Sequence, residues 1–314
     1  MKRNDLRKLM VGAIATVPTA FDENYRVDHG RMAAAVERWI EWGLVNGKSV
    51  LKVAAAMGEG PQLRDDEWPL LLRTSVQAAA GRVPVALGIH HKDTLRTIDD
   101  ARRAQDLGAM ALQVSPPIFN DATQDDILRY FEAVSSAIEI GILVYNTHWL
   151  PHGGVYPDTF RKMVDFESIV AIKWSPPDGV DYEEIYDLRN VFNIIDNTGQ
   201  PVLCHKLGGR GFISDGVSAY PPHYLEVWDL LERRRYDKAQ ALWDKVNTPV
   251  RGFYDRSVRK SGGQARVEKA MCALMGVPVG VSRPPSLPLS DEETEELRQI
   301  MVGLGWPVPD KAVA

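Results

Sequence analysis

Apolar residues along this chain gather into short unbroken runs, and after most runs they recur every three or four positions. The runs are Val11–Pro18 (VGAIATVP), Ser49–Ala56 (SVLKVAAA), Val83–Ile89 (VPVALGI), Ala111–Val114, Ile142–Tyr145, Ile169–Lys173, Phe192–Asp196 (FNIID) and the weaker Gly211–Ser214 (GFIS). They are short and rich in residues that favour a pleated strand, so they predict strands. Helices are predicted over Arg31–Trp42, Asp65–Ala80, Thr94–Leu107, Asp125–Ala137, Pro157–Val164, Tyr182–Asn190, Gln200–Leu207 and Pro222–Glu232. Asp65 stands near the N-cap of its helix and Glu67 in the first turn. Strand, helix and strand in succession imply parallel pairing through right-handed crossovers. Eight such alternations over about 230 residues match a closed (β/α)8 barrel. An open doubly wound sheet should carry GxGxxG in its first turn, and the turn after Val11–Pro18 has none. The predicted fold class is therefore α/β, a (β/α)8 TIM barrel, with a catalytic barrel over residues 1–232. Residues 233–314 show no strand pattern. Tyr236–Lys260, Ala265–Met275 and Asp291–Leu304 have helical spacing, separated by SGG and GVSRPPSLP. They predict a C-terminal helical extension, packed on the barrel or on a neighbouring subunit.

Composition narrows the class. The chain has 314 residues, 45% hydrophobic and 25% charged, as in ordinary soluble globular proteins. A net charge of −5 and a pI near 5.8 argue against a nucleic-acid partner, and Arg233–Arg235 reads as a solvated helix face. Cys204 and Cys272 have no metal-type spacing and read as small buried residues in a reducing compartment. No apolar run approaches the roughly 20 residues of a membrane span. The start, MKRNDLRKLM, lacks the long apolar core and small-residue cleavage site of a signal peptide, so a cytoplasmic protein is expected.

Candidate chemistry sits where strands end, because a parallel barrel collects its ligand-facing groups at the C-terminal ends of the strands. Tyr145 and Lys173 terminate consecutive strands. Apolar surroundings lower a lysine's pKa, and a neutral amine can attack a carbonyl to form a Schiff base. A nearby phenol can move the protons that step needs. The plain alternative is a lysine snorkelling from a strand end beside a packing tyrosine. The remaining strand ends offer Thr16 and Pro18; Ala56, Met57, Gly58 and Glu59; His90 and His91; Pro117 and Phe119; Asn146; Trp174; Asp196 and Asn197; and Ile213 and Ser214. A glycine-containing turn such as Ala56–Glu59 can bind a carboxylate through backbone N–H groups. No carboxylate and histidine cluster has metal-ligand geometry, and adjacent His90 and His91 cannot point the same way from a strand. No βα turn resembles a nucleotide phosphate loop. Schiff-base chemistry on a small oxo acid is the sharpest reading of these residues.

From Val11 to Trp306 the chain resembles the dihydrodipicolinate synthase/N-acetylneuraminate lyase family of Schiff-base, class I aldolases. The resemblance rests on a first strand ending in an ATVPTAFD-like segment, AAMGE (Ala55–Glu59) in place of a GTTGE-like turn, and RVPVALG (Arg82–Gly88). It continues through Gly108–Pro117, the pair Tyr145-Asn146, the pair Ile172-Lys173, Gly208–Ser214 and a C-terminal RPP (Arg283–Pro285). The 28-residue separation of Tyr145 from Lys173 matches the family, and so does the order of the motifs. The resemblance implies that Lys173 forms the imine with a 2-oxo acid such as pyruvate, and that Tyr145 shuttles protons. It implies that the Ala56, Met57, Gly58 and Glu59 turn holds the substrate carboxylate and that Ile213 lines the pocket beside it. No cofactor or metal is implied beyond the covalent imine. A homo-oligomer, dimer or tetramer, is implied.

The departures bear on the reaction. Two threonines usual in the turn are Ala56 and Met57, so two relay hydroxyls are absent. Phe119 stands where the synthase has a second relay tyrosine, and Leu150 stands where the synthase has an arginine for the aldehyde-side carboxylate. His148, Trp149 and His152 follow the fifth strand, and Trp174 follows Lys173. Loop packing is one account of these aromatics. The other is a pocket, with Asn146, His148, Phe119 and Trp174 at its wall, for a larger, weakly polar or aromatic half-substrate. In that reading the strand ends at Lys173, before Ser175-Pro176-Pro177, and the Trp174 indole folds over the barrel mouth. The expected activity is aldol cleavage or condensation of a pyruvate-derived 2-oxo acid. The alternatives are a dehydratase or hydratase of a 2-oxo-3-deoxy sugar acid, the synthase proper, and a non-catalytic oxo-acid-binding homologue.

Overall fold

Strands that read as unbroken apolar runs must bury both faces, and the architecture supplies a covering for each. The computed structural model describes residues 2–90, 93–118, 121–262 and 265–309. Its strands are β1 (Gly12–Thr16), β2 (Ser49–Val53), β3 (Val85–Ile89), β4 (Ala111–Val114), β5 (Gly141–Tyr145), β6 (Ile169–Trp174), β7 (Asn193–Asp196) and β8 (Gly211–Ile213). Each pairs in parallel with the next, and β8 pairs back onto β1, closing the barrel. Inward side chains, among them Ile14, Val50, Ala111, Leu143, Ala171 and Ile195, fill the interior. Outward ones such as Leu51, Val53 and Leu87 meet the helices.

The helices are α1 (Arg3–Leu9), α2 (His29–Glu41), α3 (Trp68–Ala79), α4 (Thr94–Asp106), α5 (Gln124–Ser136), α6 (Pro157–Lys162), α7 (Pro201–Lys206), α8 (Pro221–Glu232), α9 (Tyr236–Ser257), α10 (Ala265–Leu274) and α11 (Asp291–Gly303). Side-chain caps fix several starts. Asp28, Asp93, Thr123 and Ser290 each accept from the N–H three residues on. Thr123 with Asp126 and Ser290 with Glu293 form reciprocal capping boxes.

Four local differences from the sequence pattern have physical causes. α1 was not predicted: Leu6 and Met10 plug the N-terminal end of the barrel interior, and Arg3 ties the helix down through the carbonyls of Val164 and Phe166, each at 2.7 Å. α3 begins at Trp68, not at Asp65, because the Glu67 carboxylate accepts from the Arg64 N–H at 3.0 Å and is held by Arg283 from far along the chain at 2.6 Å. Residues Tyr182–Leu188 form a 3₁₀ helix where an α-helix was expected. β2 stops at Val53, and the chain turns tightly through Ala54 at φ 52. A Cβ at Gly60 would lie 1.7 Å from the Ala54 carbonyl oxygen, so that turn demands glycine. No described helix is long and apolar enough to cross a membrane.

Candidate active site

The two residues singled out by their strand-terminal positions are neighbours. Tyr145 and Lys173 are register partners on β5 and β6. The Lys173 Nζ lies 3.6 Å from the centroid of the Tyr145 ring. Both side chains are nearly removed from solvent, at 5% exposure for Lys173 and 7% for Tyr145. Burial pushes the Lys173 pKa well below the usual lysine range, the Lys52 cation adds to that, and the negative Asp215 opposes it. Burial first, and then the negative charge of Asp215, push the Tyr145 phenol upward, so it keeps its proton at neutral pH. A neutral amine beside a protonated phenol is suited to attack a carbonyl and move the resulting protons.

Both residues open into a pocket of about 610 Å³ at the C-terminal ends of the strands. The turn after β2 contributes Met57, and β8 contributes Ile213. The loop after β7 contributes Asn197, Thr198 and Gly199, and the residues after β8 contribute Ser214 and Asp215. The loop after β5 contributes Trp149, half exposed and edge-on to Tyr145 at a centroid distance of 5.5 Å. The remaining wall is one stripe of α9, formed by Trp243, Asn247, Arg251 and Tyr254. The sequence showed α9 as a helix, but not that its polar and aromatic stripe, spaced by four, four and three residues, faces the barrel mouth.

The expected site residues thus divide. Lys173, Tyr145, Met57 and Ile213 line the pocket. Ala56 and Gly58 lie in the same turn as Met57 without lining it. The Glu59 carboxylate turns away to pair with Lys269 of α10 at 2.6 Å. Asn146 is fully buried and structural: its amide donates to the carbonyls of Val155 and Ser175 and accepts from the Val155 N–H at 2.9 Å. His148 packs edge-on against Trp149 at 5.2 Å, and burial lowers its pKa. His152 pairs with Asp121 at the surface. Phe119 and His91 lie outside the described residues.

Trp174 corrects the expected aromatic wall. β6 continues through it, pairing Trp174 with Asp196 of β7. Strand alternation therefore sends the indole outward, opposite to Lys173. It is fully buried, donates to the Tyr182 carbonyl at 2.9 Å, and meets Phe160 of α6 at 6.3 Å. It belongs to the layer between sheet and helices, and the pocket is predominantly polar instead.

Besides Arg251 of the α9 stripe, two charged residues were missed. Asp215 lies two residues beyond the end of β8, where a three-residue strand gave little warning of direction. Lys52 is inward-facing on β2 and fully buried, with its ammonium 2.6 Å from the Gln113 side-chain oxygen. Burial lowers its pKa to about 7, against an opposing pull from Glu268. The signal was present in SVLKVAAA, a lysine flanked by apolar residues on both sides.

Comparison with known proteins gives a consistent result. The model of the Dihydrodipicolinate synthetase family matches residues 9–303. The 4-hydroxy-tetrahydrodipicolinate synthase 1 of Halalkalibacterium halodurans is 27% identical over 292 residues, covering 91% of this chain and 95% of that protein. The 4-hydroxy-tetrahydrodipicolinate synthase of Methanococcus vannielii is 25% identical over 297 residues, covering 94% of this chain and 99% of that protein. Among solved structures, dihydrodipicolinate synthase from Aquifex aeolicus superposes with a TM-score of 0.84 at 23% identity, covering 96% of this chain and 100% of that one. YagE, a prophage protein of E. coli K12 solved in complex with pyruvate, superposes with a TM-score of 0.83 at 22% identity, covering 95% and 99%. At these identities the two structures speak to the fold.

Proposed function

The chain belongs to the dihydrodipicolinate synthetase family, and from that premise we propose that it is a Schiff-base lyase cleaving or joining a pyruvate-derived 2-oxo acid at Lys173. The observation that carries the reading is the buried Lys173 amine against Tyr145, both open to one pocket. The neutral amine attacks the 2-oxo carbon, and Tyr145 transfers the protons that release water and leave an iminium. The electron-poor iminium then accepts the electron pair of the bond between the third and fourth carbons. No cofactor beyond the covalent imine enters the proposal. The Glu59 and Gly60 N–H groups are engaged within their own turn, at 3.1 and 3.0 Å. Met57 is the residue of that turn that lines the pocket, so its N–H is the one we assign to the substrate carboxylate. In solution a homo-oligomer, dimer or tetramer, is part of the proposal.

The polar lining from Asn197, Thr198, Ser214, Asn247 and Arg251 supports a hydroxyl-bearing second half of the substrate. It takes the place of the aromatic half that Trp174 would have favoured. The same lining supports a second reading, loss of water from a 2-oxo-3-deoxy sugar acid through the same imine, which product analysis separates from carbon–carbon cleavage. Condensation with an aldehyde bearing its own carboxylate, as in the synthase, has less support: Ala56 and Met57 carry no relay hydroxyl, and Leu150 does not line the pocket. Borohydride with pyruvate tests the proposal. It should add an irreversible mass to the wild type and none to Lys173→Ala; equal labelling of both contradicts it.

A further inference from the structure

Asp215 is the one acid among the described residues that line the pocket, and the steps above leave it without a task. It is half-buried, and among the described residues no side chain hydrogen-bonds or ion-pairs with it. Its neighbours by charge come from every element around it: Lys173 of β6, Tyr145 of β5, Tyr224 of α8, Arg251 and Tyr254 of α9, and Glu268 of α10. An unengaged carboxylate on the wall that holds the reactive amine is available to substrate.

We propose that Asp215 is a second acid–base group of this site, taking the proton from the substrate hydroxyl on the carbon that leaves the pyruvate unit. The proposal rests on the imine reading. In cleavage the hydroxyl proton passes to the Asp215 carboxylate, and the oxygen's bonding pair becomes the new carbonyl bond. The broken carbon–carbon pair moves into the iminium and leaves a neutral enamine on Lys173. The enamine carbon then takes a proton, and water releases pyruvate. In condensation the Asp215 carboxylic acid returns the proton to the aldehyde oxygen.

Two observations favour Asp215 over its neighbours for this step. Ala56 and Met57 carry no hydroxyl that could relay a proton to Tyr145. The Tyr145 phenol is held away from ionisation, chiefly by burial, so its phenolate is a scarce base. Burial also raises the Asp215 pKa, while Arg251 and Lys173 restrain the rise, which brings a carboxylate closer to the pH at which it both accepts and returns a proton.

The test compares full-length wild type, Asp215→Asn and Asp215→Glu, each checked for its melting temperature. One assay traps pyruvate with borohydride; the other follows condensation of pyruvate with glycolaldehyde and glyceraldehyde across pH. The expected result is that Asp215→Asn still traps pyruvate while its condensation falls by about 10²-fold or more and its rate loses the decline with rising pH that deprotonation of the Asp215 carboxylic acid imposes, with part of the rate restored in Asp215→Glu. Condensation by Asp215→Asn within about threefold of wild type overturns the proposal. So does trapping that falls in step with condensation, which would place Asp215 in imine formation. A wild type that traps pyruvate but condenses neither aldehyde also overturns it. A wild type that traps no pyruvate overturns the imine reading itself.

Discussion

Lys173 lies over the face of Tyr145, its Nζ 3.6 Å from the ring centroid, and the two residues are paired in register across β5 and β6. The phenol is therefore held against the amine by the sheet itself, with no loop between them. Removing only the hydroxyl should leave that packing intact. Tyr145→Phe is expected to lower kcat by about 10²–10⁴-fold, the usual worth of a positioned acid–base group, with little change in melting temperature. Steady-state kinetics beside a thermal melt checks it; near-normal turnover would move the role to another group.

A second lysine sets the conditions for the first. Burial is the main cause of the lowered Lys173 pKa, and the Lys52 cation is the next. Lys52→Met removes that cation, so the Lys173 pKa should rise and the pH profile of pyruvate trapping should move to more alkaline pH. An unmoved profile would contradict the coupling.

Lys52 also makes a stability prediction with a definite sign. Its folded pKa is lowered to about 7, while the unfolded chain keeps the ordinary lysine value of 10.5. Between those values the unfolded state binds more protons, so this residue makes stability rise with pH across that window. Melting temperatures of wild type and Lys52→Met, measured from pH 7 to 9, should show the wild type gaining on the variant as pH rises. A constant difference would contradict the buried, proton-poor state of Lys52.

The two tryptophans should respond oppositely. Trp174 is fully buried behind β6, so Trp174→Ala should cost about 3–5 kcal/mol of stability, read by denaturant unfolding. Trp149 is half exposed at the pocket mouth, so Trp149→Ala should leave the melting temperature little changed and raise KM for the aldehyde partner. A specificity change in Trp174→Ala without a stability loss would contradict the placement of the indole.

The contrast between Lys173 and Trp174 shows how far the sequence was legible. Apolar runs and helical spacing revealed the barrel, because every strand is buried on both faces and reads plainly. They revealed Lys173 and Tyr145, because a polar residue closing an apolar run is a local signal. They misplaced Trp174, because whether β6 ends at residue 173 or 174 depends on its pairing with Asp196, a contact outside its own segment. They missed Asp215 and the α9 stripe for the same reason, since which face of α9 meets the barrel mouth is decided by packing between distant parts of the chain. The start of α3 was likewise set by Arg283, more than two hundred residues away.

The central claim is that Lys173, rather than the other buried amine of the barrel, carries the substrate. The most direct measurement is proteolytic mapping of the borohydride-reduced pyruvate adduct by mass spectrometry in wild type, Lys173→Ala and Lys52→Met. The account predicts one modified residue, Lys173, in the wild type and in Lys52→Met, and no adduct in Lys173→Ala. An adduct on Lys52, or one that survives in Lys173→Ala, would contradict it.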